Sequence, residues 1–180
     1  TGSGTVFFSG CPLRCVYCQN YALARAEQGE QITTERLSDI FLELQEKGAA
    51  NINLVTPTHY TPQIIEAVRM SRAKGLHLPI VYNCSGYEKV ETLRTLEGIV
   101  DIYLTDFKYM ETEPAKRYSK APDYPKVAKL ALEEMVRQCP KARFDEQGMM
   151  QQGVIVRHLL LPKKMKNAKS PLPSDTKIVI

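Results

Sequence analysis

Near its start the chain reads Val6-Phe7-Phe8-Ser9-Gly10-Cys11-Pro12-Leu13-Arg14-Cys15-Val16-Tyr17-Cys18. An apolar run leads directly into three cysteines spaced four and three residues apart. Three thiolates this close together suit an iron–sulfur cluster. A [4Fe–4S] cluster held by only three cysteines keeps one iron free for another ligand. We therefore interpret the stretch as a β-strand that leads into a cluster site with one open iron.

Other functions for the three cysteines remain as alternatives. Structural zinc sites usually bring two pairs of ligands separated by a dozen or more residues. The chain has no second pair of this kind, so zinc would need an isolated fourth ligand such as Cys84 or His59. A redox-active pair formed by Cys15 and Cys18 would leave Cys11 without a function. Three buried cysteines with no ligand role fit poorly with the Pro-Leu-Arg loop between the first two.

The composition is that of an ordinary globular domain. Of the 180 residues, 43% are hydrophobic and 24% are charged, with a net charge of +4. We expect a single domain with no membrane span and no signal peptide. The chain does not begin with Met, so we expect the domain to be truncated at one or both ends. Five cysteines, three of them clustered, indicate a reducing and therefore cytoplasmic location. The scattered basic residues do not indicate a nucleic-acid partner.

Short β-branched runs alternate with amphipathic helical patterns along the chain. The strands are predicted at residues 6–9, 52–56, 79–83, 99–106, 153–161 and 177–180. Helices are predicted around residues 37–44, from a Thr61 cap with Pro62 to Gly75, over residues 87–96, and over residues 126–138. Residues 163–180 break this pattern and are predicted to be an irregular basic segment containing prolines, followed by a short terminal strand.

Alternation of strands and helices is typical of α/β proteins with a parallel sheet. Five or six strands are too few for a closed eight-stranded barrel. We therefore predict an open, partial β/α barrel of about five to six parallel strands, formed by residues 1–162. A flavodoxin-like doubly wound sheet is the alternative.

In such a fold the chemistry collects where the parallel strands end. Polar or chemically reactive side chains stand at the carboxyl ends of the first four predicted strands, and the fifth carries them in its middle. These are Cys11, Cys15 and Cys18 after the first strand, Thr58 and His59 after the second, Asn83 after the third, Asp106 and Lys108 after the fourth, and Arg157 with His158 on the fifth. We expect these groups to share one edge of the sheet.

The motif Cys-x3-Cys-x2-Cys, with Tyr17 before its last cysteine, resembles that of the radical S-adenosylmethionine (SAM) superfamily. The resemblance covers roughly residues 4–162 and includes the strand–helix order. Within the superfamily the chain is most similar to the pyruvate formate-lyase activating enzyme group. The segments 8–11, 51–59 and 101–109 carry that similarity.

The resemblance implies specific functions for the residues at the strand ends. Cys11, Cys15 and Cys18 would ligate a [4Fe–4S] cluster, and SAM would bind its fourth iron. Asp106 and Lys108 match an Asp-x-Lys pattern in which the lysine meets the SAM carboxylate. Arg157 matches a family arginine near the methionyl end of SAM, and Asn83 stands where the family has polar residues near SAM.

One segment departs from the family pattern. Many members hold the SAM amine with Gly-Gly-Glu after the second strand, where this chain has Thr56-Pro57-Thr58-His59. The hydroxyl and carbonyl groups of this segment, including those of Thr58 and His59, are the expected replacement.

The resemblance also implies an activity. Reductive cleavage of SAM would give a 5′-deoxyadenosyl radical that abstracts hydrogen, and the expected substrate is a glycine on a partner glycyl radical enzyme. The expected electron donor is a flavodoxin or a ferredoxin. The alternatives are a radical SAM enzyme acting on a small molecule or peptide, and an iron–sulfur electron carrier that does not cleave SAM.

Overall fold

The computed structural model describes residues 2–159. The elements follow in this order: β1 Ser3–Phe7, α1 Tyr21–Ala24, α2 Thr34–Glu46, β2 Asn51–Val55, a 3₁₀ turn Thr58–Tyr60, α3 Thr61–Ala73, β3 Ile80–Cys84, α4 Val90–Thr95, β4 Ile102–Phe107, α5 Thr112–Ser119, α6 Tyr124–Gln138, β5 Arg143–Phe144 and β6 Met150–His158. The loop and the strand predicted within residues 163–180 lie outside the described residues.

The strands form one six-stranded sheet in the order β1-β2-β3-β4-β6-β5. All neighbours are parallel except β5, which pairs antiparallel with β6. This sequential order of parallel strands is that of a partial β/α barrel, whereas a flavodoxin-like sheet has the order 2-1-3-4-5. The predicted fold class is confirmed, and the flavodoxin-like alternative is wrong.

The strand bounds differ from the predicted ones because the apolar runs do not coincide with the paired backbone. β1 begins at Ser3 and ends before Ser9, since Ser3 and Phe7 pair with Asn51 and Val55 of β2. β1 is the first strand in the sheet order, and a strand in this position tolerates polar residues such as Ser3 and Thr5. A strand prediction based on apolar runs therefore leaves these residues out. The prediction of a first strand at 6–9 was thus shifted by about three residues.

Three of the predicted helices match α2, α3 and α6 closely. Thr33 caps α2 by accepting a hydrogen bond from the Arg36 backbone N–H at 3.2 Å. The cap predicted for α3 is wrong by one residue, because Tyr60 holds the cap position and Thr61 begins the helix. The third predicted helix, 87–96, is shorter than expected and covers only Val90–Thr95.

Helix α5 was missed because it is short and mostly polar, with no large aliphatic side chain to mark its buried face. Its sequence Thr-Glu-Pro-Ala-Lys-Arg-Tyr-Ser buries only Pro114, Ala115 and Ser119. Ala115 packs in an apolar group with Leu13, Phe107 and Tyr124. Leu13 is 2% exposed, so the cysteine loop is anchored in this group by an apolar side chain between two of its cysteines.

A larger apolar core lies between the sheet and helices α2 and α3. Phe41, Ile52, Leu54, Ile64 and Tyr82 are fully buried in it. Within residues 2–159 no helix has both the length and the apolar character needed to cross a membrane.

Gly86, in the loop after β3, allows the close approach of that loop to β4. Its φ is +78°, and a Cβ at this position would lie 2.1 Å from the Asp106 carbonyl oxygen. A side chain here would therefore push the loop away from the end of β4. Gly48 offers a matched comparison, since it has the same φ but no heavy atom within 4 Å of a Cβ.

We expect Gly86→Ala to lower the free energy of unfolding by clearly more than Gly48→Ala. Gly48→Ala costs only the left-handed backbone, about 1 kcal/mol, whereas Gly86→Ala adds a steric clash with backbone. Urea unfolding of both variants measures the difference. Equal losses in the two variants would show that the Gly86 loop moves freely and does not fix the end of β4.

Candidate functional site

Three of the predicted site residues meet at the carboxyl ends of β3, β4 and β6. Asp106 and Arg157 are direct neighbours in the register of β4 with β6. The Arg157 Nε donates to Asp106 Oδ1 at 2.7 Å, and its Nη2 donates to Asn83 Oδ1 at 2.9 Å. The parallel register therefore gathers Asn83, Asp106 and Arg157 at one edge, as the sequence predicted.

Lys108 joins this group through an ion pair between its ammonium and the Asp106 carboxylate. The side chains of Lys108 and Asp106 are only 16% and 17% exposed, whereas that of Arg157 is 49% exposed. Two cations thus share one carboxylate, and the group carries a net positive charge. Such a group has the capacity to receive one more carboxylate through charge-assisted hydrogen bonds.

Tyr124 ties together the backbone of this edge. Its hydroxyl accepts the Lys108 backbone N–H at 2.9 Å and lies 2.8 Å from the Ser85 carbonyl oxygen and 3.0 Å from that of Asp106. The ring is fully buried. A tyrosine of α6 therefore holds the ends of β3 and β4 together beneath the charged group.

The end of β2 turns through an unusual backbone. Thr56 has a φ of +58°, a left-handed conformation that is rare for a β-branched residue. Strain of this kind is often found at functional sites. The turn carries the predicted site residues Thr58 and His59 into a 3₁₀ turn.

Thr58 and His59 lie in different surroundings. The Thr58 hydroxyl donates to Glu88 Oε1 at 2.7 Å. His59 is exposed, and its ring lies against the cysteine loop, since a Cβ on Gly10 would be 3.4 Å from His59 Cδ2. The structure thus brings His59 next to the cysteines and places Thr58 over a buried carboxylate.

Glu88 is a residue that the sequence analysis missed. It is 1% exposed and accepts a second hydrogen bond from the Tyr82 hydroxyl at 3.3 Å. Burial raises the pKa of its carboxyl to about 7, although the hydrogen bonds from Thr58, Tyr82 and Cys84 act to lower it. A glutamate followed by lysine just before a helix is typical of a surface position, so no feature of the sequence indicates that Glu88 is buried.

The three loop cysteines are free thiols, each of them half-buried. The Arg14 guanidinium donates to the carbonyl oxygens of Cys11 and Leu13, at 2.6 and 3.0 Å, and so closes the turn between the first two cysteines. Burial is the largest cause that raises the pKa of the Cys11 thiol; Cys15 and Cys18 raise it further, and Lys108 lowers it. The cysteine loop and the Asp106–Lys108 pair therefore act on one another electrostatically.

Comparison with known proteins identifies the family. The family model of the radical SAM superfamily matches residues 5–146. The chain belongs to the radical SAM superfamily. The predicted resemblance is thus confirmed at the level of the superfamily, and the partial barrel agrees with it.

A curated relative adds no activity to this assignment. The chain is 28% identical over 170 residues to the uncharacterized protein MJ0674 of Methanocaldococcus jannaschii, an alignment that covers 91% of this chain and 46% of that protein. The chain therefore spans about half the length of this relative. The activating-enzyme subgroup remains a prediction.

Membership of the radical SAM superfamily implies a [4Fe–4S] cluster and SAM, and the donor set of the loop fits the cluster. The loop offers three unpaired thiols, which are the ligands that iron–sulfur clusters prefer. Over residues 2–159 no three His, Cys, Asp or Glu side chains stand in an arrangement for a metal ion. The thiols of Cys11, Cys15 and Cys18 are the groups that would hold the cluster.

Other candidates from the sequence have structural surroundings. His158 uses its Nδ1 in a 2.6 Å hydrogen bond with the Phe107 carbonyl oxygen. Cys84 is 2% exposed and contacts the Thr105 hydroxyl, and Cys139 is 4% exposed. Neither cysteine belongs to the loop, and both fill apolar space.

Glu88 predicts a measurable dependence of stability on pH. Its carboxyl has a pKa of about 7 in the folded chain against 4.5 for an unperturbed glutamate, so between these values the folded chain holds a proton that the unfolded chain has lost. The stabilisation from this proton is complete below pH 4.5 and is lost as the pH rises through 7. The free energy of unfolding falls by about 3 kcal/mol at most over this range.

Glu88→Gln removes this titration. We expect the free energy of unfolding of wild type, measured relative to Glu88→Gln, to fall between pH 5 and pH 8 in urea unfolding. Glu133→Gln, at an exposed position of α6, is the control and leaves the pH dependence of wild type in place. A wild-type to Glu88→Gln difference that stays constant with pH would contradict the raised pKa.

Proposed function

We propose that this protein is a radical SAM enzyme that cleaves SAM reductively at a [4Fe–4S] cluster held by Cys11, Cys15 and Cys18. The observation that carries the proposal is the group of Asn83, Asp106, Lys108 and Arg157 at the carboxyl ends of β3, β4 and β6. The cysteine loop lies beside this edge, since Cys11 and Cys15 pack against the apolar group that contains Phe107 of β4. When bound, the reduced cluster supplies the electron that breaks a carbon–sulfur bond of SAM and yields the hydrogen-abstracting 5′-deoxyadenosyl radical. The residues described below bind and orient SAM for that step.

The cationic part of the site would bind the carboxylate of SAM. Lys108 and Arg157 carry two positive charges against the single negative charge of Asp106. The carboxylate of SAM would therefore neutralise the remaining positive charge. Asp106 keeps the two cations apart and oriented before SAM arrives. An electron carrier that does not bind SAM has no use for such a group, and the group therefore favours an enzyme over a carrier.

Thr58 is suited to bind the ammonium of SAM in place of the family's glutamate. A hydroxyl has one proton, and that of Thr58 is donated to Glu88. The remaining lone pairs of the Thr58 oxygen can then only accept hydrogen bonds. Above pH 7, where it is ionised, Glu88 would supply negative charge behind the acceptor without touching SAM itself. The exposed His59 would lie at the rim of the site.

The proposed substrate is a glycine Cα–H of a partner glycyl radical enzyme, as in the pyruvate formate-lyase activating enzymes. The similarity of segments 8–11, 51–59 and 101–109 to that group supports this choice. A flavodoxin or a ferredoxin is the proposed electron donor. A small molecule or a peptide is the second candidate substrate, because the same site would serve it.

Anaerobic reconstitution with iron and sulfide, followed by dithionite and SAM, tests the activity. We expect wild type to show iron–sulfur absorbance and to release 5′-deoxyadenosine. Cys15→Ala should do neither, whereas Cys139→Ala should do both, because Cys139 lies outside the loop. A Cys15→Ala protein that assembles the cluster as wild type does would refute the ligand assignment.

The same assay identifies the substrate. Pyruvate formate-lyase carrying deuterium at its glycine Cα positions serves as the probe. Deuterium in the released 5′-deoxyadenosine supports glycyl radical formation. Release of unlabelled product at an unchanged rate would contradict a glycine of this partner as the substrate and favour the second candidate.

Lys108→Ala is expected to weaken SAM binding about 10- to 100-fold while the cluster assembles normally, because one charged hydrogen bond is worth about 1.5–3 kcal/mol. Equilibrium binding of SAM to the reconstituted protein measures the loss. Lys129→Ala, on the exposed face of α6, is the control and should bind SAM as wild type does. Unchanged affinity in Lys108→Ala would mean that the end of β4 does not bind the SAM carboxylate.

A further inference from the structure

The cysteine loop is hydrogen-bonded to the carboxyl end of α5 on both sides of Cys15. The backbone N–H of Arg14 donates to the Ser119 carbonyl oxygen at 3.1 Å, and that of Val16 donates to the Tyr118 carbonyl oxygen at 2.9 Å. The backbone of the cysteine loop and that of the end of α5 are thus held side by side. Cys15 and Ser119 therefore face one another at a fixed separation.

A hydroxyl group meets the Cys15 sulfur at this point. Ser119 Oγ lies 2.9 Å from Cys15 Sγ and 2.6 Å from the Tyr109 hydroxyl, which in turn contacts the Tyr17 hydroxyl. Ser119 is 1% exposed and Tyr109 is 3% exposed. The hydroxyls of Ser119 and Tyr109 are therefore shielded from water, whereas Tyr17 is half-buried, and the chain ends on a thiol of the cysteine loop.

The direction of this chain follows from the number of protons. A cysteine that ligates iron is a thiolate and has no proton to donate, so Ser119 must donate to Cys15. The single proton of Ser119 is then used, and its oxygen accepts from Tyr109. The proton of Tyr109 is used likewise, and its oxygen accepts from Tyr17. Ligation of iron by Cys15 thus orders all three hydrogen bonds in one direction.

We propose that Ser119 is a positioning residue for Cys15 that donates a hydrogen bond to its thiolate and raises the reduction potential of the cluster, with Tyr109 holding the Ser119 hydroxyl in the donating orientation. The inference rests on the proposed function, because it requires the cluster. Reduction adds negative charge to the sulfur ligands, and a donor at such a sulfur stabilises the reduced state more than the oxidised state.

The test is a redox titration of the reconstituted cluster. We expect Ser119→Ala to bind iron as wild type does and to show a more negative midpoint potential. Tyr109→Phe should shift the potential in the same direction by a smaller amount, and Ser119→Thr, which keeps the hydroxyl, should restore the wild-type value. Ser71→Ala is the control, since Ser71 is fully buried on α3 and donates to the Val68 carbonyl oxygen, away from the loop.

The outcomes separate this inference from the proposed function. Wild-type protein without any iron–sulfur absorbance would overturn the proposed function. A normal cluster in Ser119→Ala with the potential of wild type would overturn the inference alone, as would an equal shift in Ser71→Ala. If Ser119→Ala fails to assemble the cluster, the potential of Tyr109→Phe decides, and an unchanged value there overturns the inference.

Discussion

The hydrogen bond from Arg157 to Asp106 across β6 and β4 is the contact on which the rest of the site depends. It exists because the parallel register sets these two residues opposite one another at the edge of the sheet. Arg157 then reaches Asn83 on the far side of β4, and Lys108 pairs with the second oxygen of Asp106. Three strands thereby present one ordered charged group. The close contact of the Gly86 loop with the end of β4 and the hydrogen bonds of the Tyr124 hydroxyl hold the strand ends together.

The cysteine loop depends on a different kind of support. A loop of eight residues cannot bury a core of its own, so Leu13 inserts into the apolar group formed with α5 and α6, and two backbone hydrogen bonds join the loop to the end of α5. The lysine next to Asp106 acts electrostatically on the first cysteine. Cys11 and Cys15 also pack against the apolar group that contains Phe107 and Tyr109, so the loop lies beside the end of β4.

The sequence predicted what is local or periodic. The cysteine motif, the strand–helix alternation and the polar residues that follow each strand were sufficient for the fold class, and the register then brought Asn83, Asp106, Lys108 and Arg157 together as expected. Contacts that depend on tertiary packing could not be predicted. Ser119 lies in a short, mostly polar helix, and neither its burial nor its contact with Cys15, 104 residues away, leaves a pattern in the sequence. Glu88 is similar, because only the fold shows that Thr58 and Tyr82 cover it.

Under the proposed function, Glu88 would also explain how the site binds SAM without the family's glutamate after β2. The methionyl end of SAM carries a carboxylate and an ammonium, so a complementary surface needs a cationic part and an anionic part. Lys108 and Arg157 would form the first at the ends of β4 and β6. The second would come from the segment after β3, since Glu88 accepts the hydrogen bond of the Thr58 hydroxyl and would act through it instead of contacting the ligand. A carboxylate that follows β3 instead of β2 and acts through Thr58 would retain the charge pattern of the family site. Because the pKa of the Glu88 carboxyl is about 7, protonation near neutral pH would affect the anionic part of the site more than the cationic part.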